Sequence, residues 1–166
     1  MPYKDNFIFA DDLISQLNPI IKNLNNPYIE TKFTGFLIVS SVTVLEMALK
    51  NIFIDFAKMK HIILGNFCDV YFNKIHGKIR LEDIKGDYLN KFGKIYKNDF
   101  ISKLETLQEN ELLTNRISIT DSYTNLITWR NDFVHQFKIS NATFQDTIFA
   151  YECGKKIMDC LSDCLQ

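Results

Sequence analysis

The sequence is poor in the two residues that most often interrupt helices, with 3 prolines and 6 glycines among 166 residues. No stretch alternates apolar and polar residues for long enough to indicate a strand, whereas apolar residues recur at helical spacing along most of the chain. Internal repeats, low-complexity tracts and linkers are also absent from the sequence. These absences argue against a β-rich or multidomain protein and predict one all-α domain over residues 1–166, large enough to bury its own core.

Cysteine is scarce and poorly spaced for metal binding. Cys68, Cys153, Cys160 and Cys164 form no Cys-x-x-Cys pair, and no histidine lies near the last three in the sequence. These three share a helical stripe with apolar residues, so we expect them to pack in the core as small hydrophobes. We expect no metal site and no cofactor.

Neither a signal peptide nor a membrane span is evident. The longest apolar candidate, residues 33–56, is interrupted by polar and charged side chains, and no basic segment precedes an apolar stretch at the N-terminus. We therefore expect a cytoplasmic protein without a membrane partner, in which disulfides are rare.

The sequence has no excess of positive charge. It contains 19 Lys and Arg and 20 Asp and Glu, which gives a net charge of -1. Proteins that bind long nucleic acids are usually basic, so an RNA-binding surface here would have to be local. The central segment contains clustered basic residues, with Lys78 and Arg80 as candidates for RNA contact. Interspersed acids favour the alternative of a solvated helical surface.

Apolar spacing, caps and breakers predict the helices in detail. The first half should contain a helix over 5–25 that is kinked or split at Pro19, a long helix over 30–60, and a helix over 62–75. Short helices over 80–92 and 98–107 and a loop over 109–115 should follow. The last two helices should run from Ser118 to about 137 or 138, and from a Ser140–Thr143 cap to about 165. The long helix is apolar on several sides, which is typical of the centre of a bundle.

Glu46 lies on an otherwise apolar face of that long helix, where an unpaired charge would be costly. One interpretation is an i,i+4 pair with Lys50 at a partly exposed edge. The other is a bond to a buried or active-site cation. The sequence does not decide between them.

The segment Arg130–His135, RNDFVH, carries the strongest chemical signal. Cleavage of RNA without a metal needs a base for the 2'-hydroxyl proton and a cation for the phosphoryl oxygens. Histidine can exchange protons at neutral pH, and arginine presents a charged fork of donors that matches phosphate. Positions five apart on a helix are rotated by roughly 140°, whereas positions four apart share a face. Asn131 could therefore orient His135, while Arg130 would need an unwound helix end or a second copy of the chain.

The same residues also have a structural interpretation. Arg130 and Asp132 could form a salt bridge, and His135 could cap the end of the helix. So short a motif also arises by chance in unrelated sequences.

The segment Trp129–His135 resembles the signature of the HEPN superfamily, an arginine followed by a polar residue, a short spacer and a histidine. Ser41–Glu46, on the long helix, resembles the second helix of the RiboL-PSP branch, and Gly77–Arg80 with Tyr88–Gly93 resembles that branch's middle region. The likeness covers most of the chain from about residue 35.

This resemblance implies a helical bundle that pairs as a homodimer, with two copies of the motif in a cleft at the interface. It implies a metal-independent endoribonuclease acting as a toxin or in antiphage defence, often controlled by a cognate antitoxin protein. Arg130 and His135 would be the catalytic pair with Asn131 beside them, and Glu46 and Asp132 would support them. In a related branch a tyrosine that a partner enzyme modifies lies two residues after the histidine, and here that position is Phe137.

The sequence therefore leaves three functional hypotheses. The first is an endoribonuclease, which the intact motif favours. The second is a catalytically silent HEPN module that binds a partner or a nucleotide-like ligand. In the third, a structural bundle, the Arg-Asn-Asp run is a salt-bridge network and His135 is buried within one chain.

Overall fold

The computed structural model describes residues 2–136 and 141–166, which form helices and no strand. A 3₁₀-helix over Pro2–Phe7 leads into the first α-helix, and a π-helical segment over Asp83–Tyr88 leads into the fourth. The seven α-helices within the described residues are α1 (Ile8–Lys22), α2 (Pro27–Lys60), α3 (Ile62–Asn73), α4 (Leu89–Phe92), α5 (Lys94–Asn115), α6 (Ile119–Gln136) and α7 (Phe144–Cys164). The all-α prediction is confirmed.

Helix α2 is the centre of the bundle, as its many-sided apolar pattern predicts. It contacts α1, α3, α6, α7 and the N-terminal 3₁₀-helix. It begins where Pro27 occupies the first turn and the Asn26 side chain accepts the backbone N–H groups of Tyr28 and Ile29. By length and composition α2 could cross a bilayer, but 67% of its most apolar window is buried inside the bundle. That burial is compatible with the core helix of a soluble protein.

Two predicted elements differ from the structure. Pro19 lies inside α1 without splitting it, and the residues before Ile8 form the 3₁₀-helix instead of a longer α1. The predicted loop over 109–115 is wrong, because α5 is continuous to Asn115 and ends at Arg116 in the left-handed conformation, with φ 57°. Polar composition indicated a loop there, but Glu111 accepts from Lys156 of α7 at 2.5 Å and ties this helical turn to the bundle.

An aromatic cluster fixes the middle of the chain to α2. Phe53 stacks on Phe72 of α3 and on Phe92 of α4, each with ring centroids 5.1 Å apart. Tyr88 meets both Phe53 and Phe72 edge-on. Such pairs contribute about 0.5–1.5 kcal/mol each beyond the burial of their area. The cluster therefore holds both ends of the segment 74–82, which connects α3 to the π-helical segment.

All four cysteines are buried free thiols, in line with the predicted core packing. Burial raises the pKa of Cys68 and of Cys153, so both remain neutral thiols at cellular pH.

Helix α6 packs tightly against α2 at a glycine. A Cβ atom built on Gly35 would lie 2.2 Å from Cε2 of the Phe133 ring, so a larger residue cannot occupy this position without a shift. A Cβ on Gly154 of α7 would lie 2.6 Å from Leu45 and 3.3 Å from Tyr123. These contacts seat α6 against α2 and α7 and thereby place the Arg130–His135 segment.

Candidate active site

The motif residues occupy the last turns of α6 that the structure describes. Arg130, Asn131 and Asp132 are half-buried, and His135 is exposed. The helix begins as predicted, with the Ser118 hydroxyl accepting the backbone N–H of Asp121 at 3.3 Å. Its predicted end near 137 or 138 lies outside the described residues, as does Phe137.

Arg130 contacts its own neighbour rather than an acid. Its Nη1 donates to Oδ1 of Asn131 at 3.1 Å. Within residues 2–136 and 141–166, neither Arg130 nor Asp132 takes part in an ion pair. The salt bridge required by the structural interpretation is thus not formed in the described part of the chain. Asn131, expected to orient His135, instead orients the guanidinium.

A sharp backbone turn lies against Arg130. Gly77 has φ +71°, a left-handed conformation that glycine adopts without strain. A Cβ atom on Gly77 would lie 3.8 Å from Nη1 of Arg130, in van der Waals contact. The segment that follows α3 therefore forms one wall beside the guanidinium.

Glu46 holds this turn in place. Its Oε2 accepts the backbone N–H of Gly77 at 2.9 Å, while its Oε1 pairs with Lys50 at 2.8 Å and lies 3.9 Å from Nδ1 of His76. The predicted i,i+4 pair is thus present. Both side chains are only 15% exposed, so the pair is largely buried rather than at a partly exposed edge. Glu46 also binds the turn that lies against Arg130, but it makes no described bond to Arg130 itself, so the interpretation as a partner of an active-site cation stays a prediction.

Two buried tyrosines hold the next two residues of the same segment. The Tyr88 hydroxyl donates to the Lys78 carbonyl at 2.8 Å, and the Tyr123 hydroxyl donates to the Ile79 carbonyl at 2.6 Å. Burial raises the pKa of both tyrosines far above the usual range, so both hydroxyls keep their protons. Side chains from α2, the π-helical segment and α6 together fix residues 77–79.

Lys78 and Arg80 have exposed side chains. Arg80 borders a groove of about 320 Å³ that also contacts Thr124 and Thr128 of α6. Of the two residues proposed from sequence for RNA contact, Arg80 therefore lies beside the helix that carries Arg130, and Lys78 directly follows Gly77 in the chain. In the described part of the chain, no group of three or more His, Cys, Asp or Glu side chains is placed to hold a metal ion.

Comparison with known proteins identifies the family. The RiboL-PSP-HEPN family model matches residues 5–166, nearly the whole chain. The chain belongs to this family. No curated protein and no solved structure matches it. The HEPN resemblance predicted from Trp129–His135 is confirmed, and HEPN proteins are often ribonucleases.

The HEPN motif does not place Arg130 and His135 on one face of α6. Helix α6 stays α-helical through Gln136, so of the two alternatives from sequence, an unwound helix end between Arg130 and His135 is not observed. Residues five apart are then rotated by roughly 140° around the helix. Asn131 and His135 share a face, as predicted.

Sequence reasoning did not assign His76 or Gly77 to the site of this HEPN protein. In the sequence, Gly77 is typical of the residue that ends a helix, and His76 is one of several basic residues in the central segment. The signal that could have found them was the likeness of Gly77–Arg80 to the family's middle region. The position of Gly77 beside Arg130 depends on its long-range bond to Glu46, 31 residues away in sequence, which periodicity cannot reveal.

Proposed function

We propose that this HEPN protein is a metal-independent endoribonuclease that cleaves RNA by attack of the 2'-hydroxyl. The observation that supports this most directly is the state of Arg130. It is half-buried, oriented by Asn131 and without an acidic partner among the described residues, while His135 lies exposed near the end of the same helix. An arginine in this state has donors free for an external anion, and phosphate is the anion its fork matches best.

In the proposed reaction His135 accepts the proton of the 2'-hydroxyl, and the oxygen attacks the adjacent phosphorus. Arg130 binds the phosphoryl oxygens. Their negative charge is stabilised best by hydrogen-bond donors that are already positioned before the reaction. Asn131 holds the guanidinium so that little reorganisation is needed on binding. The products are a 2',3'-cyclic phosphate and a 5'-hydroxyl.

The active site is proposed to form between two copies of the chain. Arg130 and His135 project from different sides of one straight helix. A two-fold axis can bring the motifs of two copies together, so that residues from both chains complete one site. Apolar side chains are exposed on the two helices that carry Glu46 and Arg130: Phe36 and Met47 of α2 are 50% and 49% exposed, and Val134 of α6 is 39% exposed. A second copy would cover them.

Lys78 and Arg80 are proposed to contact RNA phosphates near the cleaved bond. With a net charge of -1, the protein should bind a short RNA segment rather than a long tract. We further propose a toxin or antiphage-defence role in the cytoplasm, with a cognate antitoxin protein as the partner that restrains it.

Replacement of the arginine tests the proposal. Arg130→Lys retains the charge but loses the bidentate fork, so we expect RNA cleavage in EDTA to fall strongly while the fold is kept. Arg116→Lys is the matched control, because Arg116 is exposed at the end of α5, away from the motif. Equal cleavage by wild type and Arg130→Lys would contradict the role of Arg130.

A silent binding module is the second candidate, and a different surface favours it. A groove of about 330 Å³ lies between α3, α4 and the start of α5, lined mainly by apolar and aromatic side chains, with Lys60 and Lys91 at its edge. It does not include Arg130 or His135. Cleavage that is absent in every condition, with a ligand bound in this groove, would favour the second candidate.

A further inference from the structure

His76 is a histidine that the mechanism above leaves without a role. It precedes Gly77, the residue whose Cβ position lies 3.8 Å from Nη1 of Arg130. Its Nδ1 lies 3.9 Å from Oε1 of Glu46, and its side chain is 80% exposed. The ring therefore lies at the surface with one edge near the Glu46 carboxylate, one residue before the turn that lies against the guanidinium.

The proposed cleavage needs a second proton transfer. When the bond between phosphorus and the 5'-oxygen breaks, the leaving oxygen is a strongly basic alkoxide unless it receives a proton. Arginine holds its proton too tightly to donate it, and the asparagine amide does not ionise. Lys50 is engaged with Glu46 at 2.8 Å. Imidazole is the side chain that ordinarily exchanges protons at cellular pH.

We propose that His76 donates the proton to the leaving 5'-oxygen in the ribonuclease site proposed above, on which this inference rests. His135 takes the proton from the 2'-hydroxyl as the new bond between the 2'-oxygen and phosphorus forms. The bond to the 5'-oxygen breaks, and that oxygen takes the proton of His76. His76 ends neutral and His135 protonated, and proton exchange with water restores both.

Glu46 is the positioning residue for this group. Its carboxylate binds the Gly77 N–H at 2.9 Å and approaches Nδ1 of His76 from the same side. The turn and the ring are therefore fixed by one side chain, which is itself anchored on the central helix. With Nδ1 beside Glu46, the opposite ring nitrogen, Nε2, is the one left for the substrate.

A substrate whose leaving group needs no proton tests the assignment. An RNA with a 5'-bridging sulfur at one phosphodiester releases a thiolate, which leaves readily without a proton donor. On ordinary RNA we expect His76→Ala to lose about 10²–10⁴-fold in rate, the usual contribution of a general acid. On the sulfur-bridged RNA it should cleave within a few-fold of wild type, while His135→Ala should remain slow on both.

The matched control is His61→Asn. His61 is exposed, and its ring caps α3 by accepting the Ile63 N–H at 3.2 Å, a role that asparagine retains. We expect wild-type rates on both substrates for this variant. Thermal melts of His76→Ala and of His76→Asn should match wild type, because the ring is mostly exposed.

The outcomes separate this inference from the proposed function. If wild type cleaves ordinary RNA and needs His135, but His76→Ala is as fast as wild type or equally slow on both substrates, the proton-donor role is wrong and the ribonuclease stands. If wild type cleaves neither substrate, the ribonuclease itself is wrong and the inference falls with it. Selective rescue of His76→Ala by the sulfur leaving group supports both.

Discussion

Oε2 of Glu46 accepts the backbone N–H of Gly77 at 2.9 Å, and this bond fixes a surface turn to the central helix of the bundle. Gly77 in turn lies against Nη1 of Arg130. A carboxylate on α2 thus holds the backbone segment that lies against an arginine of α6. We propose that Glu46 supports the motif in this way, without touching Arg130.

Glu46→Gln should weaken RNA cleavage more than it weakens the fold. The amide can still accept the Gly77 N–H, but a neutral acceptor binds about half as strongly, and the pair with Lys50 is lost. We expect the cleavage rate to fall about tenfold or more. A tenfold fall corresponds to an increase of about 1.4 kcal/mol in the activation free energy. Activity and melting temperature should be measured in parallel.

Glu109→Gln is the control, because Glu109 is exposed on α5. Its rate should equal that of wild type. A Glu46→Gln protein that melts lower but cleaves at the wild-type rate would assign Glu46 to folding alone.

Gly35→Ala should displace the motif helix. The added Cβ would lie 2.2–2.7 Å from three atoms of the Phe133 ring, so α6 or the ring must move. Overpacking of this kind costs about 1–3 kcal/mol in the free energy of unfolding, and cleavage should fall with it. Gly86→Ala is the control, since nothing lies within 4 Å of its Cβ position. Chemical denaturation of both variants measures the difference, and equal stability would show that α2 and α6 separate easily here.

Tyr123→Phe should loosen the turn beside Arg130. It removes the donor to the buried Ile79 carbonyl, and an unpaired buried acceptor costs about 1–3 kcal/mol. Hydrogen exchange of the amides of residues 77–80 should become faster than in wild type. Tyr28→Phe changes an exposed ring, 67% accessible, and should leave exchange unaltered. Unchanged exchange in Tyr123→Phe would mean that Tyr88 and Glu46 suffice to hold the segment.

Met47→Lys should separate the proposed dimer. Met47 is 49% exposed next to Glu46 in the sequence, and a charge there would be buried without a partner when two copies meet. We expect wild type to sediment as a dimer at micromolar concentration and Met47→Lys as a monomer with reduced cleavage. Leu113→Lys, at an 84% exposed position on α5, should remain dimeric. A wild type that sediments solely as a monomer would contradict the two-copy site.

The sequence determined the fold class and most helices because their signals are local. The apolar faces of α2, the Ser118 cap and the Thr143 cap are each encoded within a few residues, and the structure contains all three. The continuity of α5 could not be predicted, because its polar last turns depend on Lys156, 45 residues beyond Glu111.

The candidate site could be predicted only in part, because some of its signals are local in sequence and others are long-range contacts. Arg130, Asn131 and His135 stand out by local spacing, whereas the Glu46–Gly77 bond joins residues that no periodic pattern relates. The contact between Arg130 and Asn131 depends on side-chain rotamers, which spacing along a helix does not fix. Only the folded chain shows that His76 lies near Glu46 and directly precedes the turn beside Arg130.

The most direct test of the central claim is cleavage of a defined RNA in EDTA, compared with the same oligonucleotide in 2'-deoxy form. The account predicts that wild type cleaves the RNA, leaves a 2',3'-cyclic phosphate and spares the deoxy form, because the attacking group is the 2'-hydroxyl. His135→Ala should lose about 10²–10⁴-fold in rate and keep its fold, since His135 is exposed. Full cleavage by His135→Ala, or equal cleavage of the deoxy form, would contradict the proposed chemistry.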